Sequence, residues 1–206
     1  MRKLISFGVM VALAAFATVG AAEASIIAAD PTVVSNGDGT FTWSYNVNLS
    51  GDQHLTPGMN PGGLFTIYDF AGLVAGSQTC GGVGNHCADF NFSSSNTGPA
   101  LALVTATDNA AIPNLTWTYN NAEPLGNPAL TTDEVFLGTY SVKSIFDGPG
   151  VITAQAGQGL KDNGNELVDN VTGVRTPSVP EPTTLLLLGF GLASVAGLGA
   201  SRTRKK

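Results

Sequence analysis

The decapeptide Thr40-Phe41-Thr42-Trp43-Ser44-Tyr45-Asn46-Val47-Asn48-Leu49 alternates polar and apolar residues without a break. Successive side chains of an extended strand point to opposite faces, so Phe41, Trp43, Tyr45, Val47 and Leu49 share one face and the Thr, Ser and Asn residues the other. A helix turns about 100° per residue and scatters these five around its axis. The stretch is therefore a strand with one buried face, and Trp43, together with Trp117 further along the chain and their aromatic neighbours, belongs to a core.

Just upstream, Thr32-Val33-Val34 is separated from this strand by Ser35-Asn36-Gly37-Asp38-Gly39. Asn-Gly and Asp-Gly pairs supply the positive φ angles of tight turns, so residues 32–49 read as a hairpin, with Asp38 a turn residue rather than a ligand. Downstream, Asp52–Gly63 holds Pro57, Gly58, Pro61, Gly62 and Gly63 and reads as a loop. Leu64–Phe70 reads as a second strand, with Phe65 and Ile67 on one face and Tyr68 and Phe70 on the other. Phe90 and Phe92 mark a short strand, Ser93–Pro99 a turn, and Leu101–Thr107 a further strand. Leu115, Trp117 and Tyr119 repeat the alternation of the first strand, and Val135–Val142 and Val151–Ala156 follow. Many short strands divided by Gly, Pro and Asn, with no helix of ordinary length between them, predict an all-β fold. The expected form is an antiparallel β-sandwich, and a jelly-roll-like variant fits the same pattern.

The chain ends differ from this body. Arg2 and Lys3 precede an apolar stretch from Leu4 to Ala22, then Ala22-Glu23-Ala24. A charged start, an apolar middle and small residues at the end are the parts of a secretory signal peptide, with cleavage expected after Ala24, or alternatively after Ala22. At the other end, the 18 residues Thr183–Ala200 carry no charge. As a helix they cover roughly 27 Å of a hydrocarbon layer about 30 Å thick, enough for a transmembrane helix with little tilt. Arg202, Arg204, Lys205 and Lys206 beyond it favour a cytoplasmic end and leave everything before Pro180 outside.

These boundaries give a signal peptide over 1–24, a β-sandwich domain over 25–161, and a polar linker or final edge strand over 162–178. The C-terminal segment occupies 179–206, with its helix at 183–200. Of the nine basic residues of the chain, six lie in the two end segments. Residues 25–180 hold Lys143, Lys161 and Arg175 against thirteen acidic side chains, a net charge near −10. A body of that sign repels phosphate backbones, which argues against nucleic-acid binding.

Val179-Pro180-Glu181-Pro182, the uncharged run and the closing Arg202-Thr203-Arg204-Lys205-Lys206 together resemble the PEP-CTERM sorting domain of bacterial surface proteins. The resemblance implies recognition by exosortase, an integral-membrane cysteine protease, after passage through the secretion translocon and cutting by signal peptidase. It further implies a precursor anchored in the inner membrane, a mature form at the cell surface or outside the cell, and an association with exopolysaccharide or biofilm. It covers only the last 28 residues and the matching N-terminal signal, and leaves the central body unassigned.

Within that body, Cys80 and Cys87 are the only cysteines and bracket a flexible Gly-Gly-Val-Gly-Asn-His loop. In an exported chain such a pair reads as a disulfide. The competing reading, a metal held by Cys80, His86, Cys87 and His54, lacks common zinc spacing. Asp162, Asn163, Asn165, Glu166 and Asp169 surround Gly164 and offer oxygen ligands suited to calcium, without the full twelve-residue EF-hand pattern; a solvated turn is the plainer account. No other cofactor is implied. The chain has no Gly-x-Ser-x-Gly elbow, and Asp69, Asp89, Glu123 and Glu134 are the carboxylates a hydrolase would have to pair. The expectation is a non-enzymatic surface or matrix protein, the alternative a secreted hydrolase or a calcium-dependent adhesion module.

Overall fold

A computed structural model of the chain describes residues 25–57, 63–126, 133–148, 150–161 and 166–179. Twelve strands are found among them, and every pairing between them is antiparallel. The first sheet contains β1 (Ile26–Ala28), β2 (Thr32–Ser35), β3 (Phe41–Leu49), β6 (Thr79–Gly81) and β10 (Val135–Ser144). The second contains β4 (Gln53–Leu55), β5 (Leu64–Ile67), β7 (Phe90–Ser95), β8 (Asn114–Tyr119), β9 (Leu125–Gly126), β11 (Val151–Lys161) and β12 (Glu166–Thr176).

The decapeptide is the centre of the first sheet. β10 pairs along one side of β3 from Ser144↔Phe41 to Val135↔Leu49. β2 and β1 share its other side, at Phe41–Ser44 and Val47–Leu49. The hairpin turn forms as its sequence predicts: Asp38 Oδ1 accepts from Thr40 N at 2.9 Å and from Thr40 Oγ1 at 2.6 Å. These bonds hold the Asp38 carboxyl below its ordinary pKa.

The two sheets close face to face over one core. Trp43, Tyr45, Val47 and Leu49 contribute from β3, and Phe65, Ile67, Leu115, Trp117 and Tyr119 from the opposite sheet. Phe65 stacks on Trp117 with ring centres 4.9 Å apart and planes 12° apart, while Tyr140 of β10 meets both edge-on, at 4.9 and 5.3 Å. Each such ring contributes about 1.5–3 kcal/mol through the apolar area it removes from water, so this cluster outweighs any surface ion pair.

The first strand is tied across the sandwich by side-chain amides. Asn170 Oδ1 accepts from Ser25 N at 3.1 Å and Ile26 N at 3.3 Å, and Gln155 Nε2 donates to Ile26 O at 2.9 Å. Gly157 and Gly159 of β11 make room: a Cβ on either would come within 2.7 Å of Ile26 O or 2.6 Å of Ser25 Oγ. The edge of β1 that faces away from β3 thereby has partners in the other sheet, as buried backbone groups require.

Several expectations are corrected. β5 stops at Ile67 instead of running to Phe70, because Asp69 adopts a left-handed φ of 55°. The resulting bend lets Phe70 as well as Phe65 and Ile67 enter the core. β7 continues to Ser95, since its ladder with β8 needs backbone groups and not apolar side chains. Leu101–Thr107 is not a strand, and Leu103 stays 63 % exposed. The loop at Asp52–Gly63 contains β4, buried throughout and paired with Leu160 and Lys161. Residues 166–176, in the stretch left open between linker and edge strand, form β12 and pair with the whole length of β11. The predicted transmembrane helix at 183–200 lies outside the described residues; among those, no helix is long and apolar enough to cross a membrane.

Candidate functional site

Edge strands β6 and β7 belong to different sheets and come together at one side of the body. The disulfide is what joins them. Cys80 lies in β6, and Cys87 opens a short 3-10 turn, Cys87–Asp89, that leads straight into β7; the two sulfurs are bonded. Both thiols being used in this way, the reading of Cys80, His86, Cys87 and His54 as a metal site is overturned. Among the described residues, no group of three or more His, Cys, Asp or Glu side chains could hold a metal ion.

The bridge rests on β10, where the ladder with β3 slips between Phe136 and Gly138. Gly138 has φ 145°, and a Cβ there would meet Cys80 Sγ at 2.8 Å and Cys87 Sγ at 3.2 Å. His86 N donates to Leu137 O at 2.8 Å, fastening the far end of the loop to the same irregularity. The His86 ring meets Asp89 Oδ2 at 3.0 Å, and Asn121 Nδ2 donates to Asp89 Oδ1 at 2.6 Å. The Asp89 carboxylate thus organises the turn between bridge and β7.

Beneath the bridge is a cleft of about 130 Å³. Its walls are Phe90, Phe92, Trp117, Tyr140 and the disulfide, and Gln78 and Thr79 bring polar groups to it. Tyr140 is buried to 99 %, and its hydroxyl finds no hydrogen-bond partner among the described residues. Burial raises its pKa above the ordinary phenol value, with the charge of Asp89 adding to the effect. An aromatic-walled cleft about the size that holds a benzene-like ring is suited to a small ring-shaped ligand, while the Tyr140 hydroxyl itself is sealed from solvent.

A second cavity, about 180 Å³, lies under the 98–108 loop against Tyr68. Tyr68 donates to Pro99 O at 3.2 Å, and burial, with the charge of Asp108, pushes its phenol up to about 12. The nearby carboxylates hold the loop together. Asp69 Oδ1 accepts from Asn109 N, and Asp108 accepts from Gly98 N and Asn114 Nδ2, each at 2.9 Å.

The other residues singled out by sequence are dispersed. Glu134 accepts from Asn48 Nδ2 at 3.0 Å, and Glu123 offers its backbone oxygen to the Tyr119 hydroxyl. Asp162, Asn163 and Asn165 lie outside the described residues. Glu166 opens β12 opposite Lys161, and both oxygens of Asp169 are engaged, with Gln158 Nε2 at 2.7 Å and Leu103 N at 2.7 Å. Sequence reasoning missed Tyr140 and β6 as parts of a site. Gly138, breaking the apolar pattern of Val135–Val142, was the one sign of an irregularity there.

At the chain's exit, Ala71 N donates to Pro177 O at 3.3 Å, and Val179 is half exposed. Ala22, Ala24, Pro180, Glu181, Pro182, Arg202, Arg204, Lys205 and Lys206 lie outside the described residues. No curated protein matches the chain. A family model described as the PEP-CTERM protein-sorting motif matches residues 178–205, so the segment that follows the last strand is a PEP-CTERM sorting signal, the mark of an exported protein directed to exosortase.

Proposed function

We propose that this is a non-enzymatic surface or extracellular-matrix protein, whose β-sandwich associates with exopolysaccharide after exosortase has processed its C-terminus. The observation that carries the reading is the sorting motif at 178–205, which starts two residues after β12 ends. The body's charge near −10 disfavours polyanions and is compatible with neutral glycans. The cleft under the disulfide is a place on the body suited to a sugar ring: aromatic walls for its C–H faces, and Gln78 and Thr79 in its lining for its oxygens.

Fractionation of tagged wild-type chain and of a Pro180→Ala/Glu181→Ala/Pro182→Ala variant, with terminal mass analysis, tests the reading. The wild type is expected in the outer fraction, shortened at both ends and retained on native matrix. The variant is expected to stay in the inner membrane with its C-terminus intact. Recovery of the uncut wild-type chain in the cytosol would overturn the proposal, and release of mature protein that washes off the matrix would remove its polysaccharide part.

A further inference from the structure

The strand that ends the body leads almost directly into the sorting signal, and exposed apolar side chains gather around that exit, beside the Arg175–Asp30 ion pair. Ile145, Val151, Ile152 and Val179 are 49–70 % exposed. The pairing places them around one point: Val151 is opposite Thr176 and Ile152 opposite Arg175, at the end of β12. Ile145 N donates to Gly72 O beside Ala71, which holds Pro177. Exposed apolar side chains are common singly, whereas a group surrounding the point where the chain leaves for an uncharged segment has an evident neighbour.

Distance identifies that neighbour. From Val179 to Thr183 the chain takes four steps, which at full extension cover roughly 14 Å. Headgroup regions add about 5–7 Å on each side of the hydrocarbon layer. The exit end of the body is therefore held within roughly 7–9 Å of the headgroup surface of a bilayer that residues 183–200 span, a gap that its exposed apolar side chains can close by settling onto it.

We infer that in the anchored precursor Ile145, Val151, Ile152 and Val179 rest in the headgroup region of the bilayer, so that the sandwich stands end-on against the membrane. The inference rests on the reading of the C-terminal run as an anchor and goes beyond it by assigning a lipid-contacting face. Cutting near Pro180 frees that face along with the chain.

The test uses the full chain carrying Ile152→Trp, in vesicles of phosphatidylethanolamine and phosphatidylglycerol with acyl chains brominated near the headgroups. Trp43 and Trp117 are buried and give the background measured on wild type. Ile145→Trp serves as an independent reporter at the same end. Val83→Trp is the distant control: Val83 is fully exposed, and its neighbour Gly82 packs on Phe136, nine residues along from Ile145, or roughly 30 Å in a strand. Insertion at the interface predicts about a twofold loss of the added emission at positions 145 and 152 and none at 83. No quenching at 145 and 152 in chains that float with the vesicles would overturn the inference while leaving the anchor standing. Chains that fail to float would overturn both. A blue shift that grows with protein density but is insensitive to bromine would assign the face to a second copy instead.

Discussion

Gly138 sits so close beneath Cys80 that a β-carbon on it would lie 2.8 Å from the sulfur. Its φ of 145° is also one that side-chain-bearing residues rarely adopt. Gly138→Ala should therefore combine backbone strain with a clash against the bridge, at a cost of about 2–4 kcal/mol. Thermal melting of the oxidised protein checks this.

Removing the bridge tests its contribution separately. Cys80 and Cys87 are seven residues apart, and loop-closure entropy gives about 2.5 kcal/mol for so short a ring. Cys80→Ser/Cys87→Ser should lower unfolding stability by that order in denaturant titration. Reduction of the wild type should add the mass of two hydrogens; a folded wild type that gains no mass would show that the bridge is not formed.

Asn170→Ala leaves the buried backbone nitrogens of Ser25 and Ile26 without their acceptor. Each orphaned donor costs about 1–3 kcal/mol, so a loss of roughly 2–6 kcal/mol is expected, with the amides of β1 exchanging hydrogen first. Hydrogen exchange read by mass spectrometry on the N-terminal peptide checks it.

Asp69 gives a pH signature. Partial burial raises its carboxyl above the ordinary value, and Asp108 adds to this while the Asn109 N–H opposes it. The fold thus favours the protonated form. Its stabilising contribution is full below the ordinary carboxylate range and is lost as pH rises through the raised folded value. Asn tolerates the left-handed φ of 55° and can still accept from Asn109 N. Asp69→Asn should melt with the wild type at low pH and above it at neutral pH, by less than about 1 kcal/mol because the group is only partly buried and still screened by solvent.

Tyr140→Phe separates binding from folding. The hydroxyl has no partner within the described body, so its loss should leave melting unchanged or slightly raised. Retention on matrix polysaccharide, if a sugar ring in the cleft displaces the side chains that cover this hydroxyl, should fall about tenfold for one lost hydrogen bond. Equal retention of both proteins would move the glycan contact elsewhere.

What sequence could convey was set by how local the signal is. The alternation in Phe41–Leu49 and Leu115–Tyr119, and the Asn-Gly and Asp-Gly turn, are properties of neighbouring residues, and they placed β2, β3, β8 and both tryptophans correctly. β1, β4 and β6 are three residues each, and exist because partners far along the chain complete their ladders; no window of ten residues contains that information. β12 was obscured because its buried positions include Asp169 and Asn170, whose polarity suits a linker until Gln158, Ser25 and Ile26 are brought to them. The disulfide was legible from two cysteines in an exported chain. The cleft was not, because it depends on two sheet edges meeting.

The amide link from Asn170 to Ser25 spans 145 residues, and Asn170 comes only thirteen before Thr183. During export the sandwich therefore cannot close until nearly its entire length has crossed the membrane. The polypeptide remains threadable for almost the whole journey, and closure of its first strand onto its last is a late, long-range event, slow by topology. Secretion and folding are thus ordered in time by where one asparagine sits.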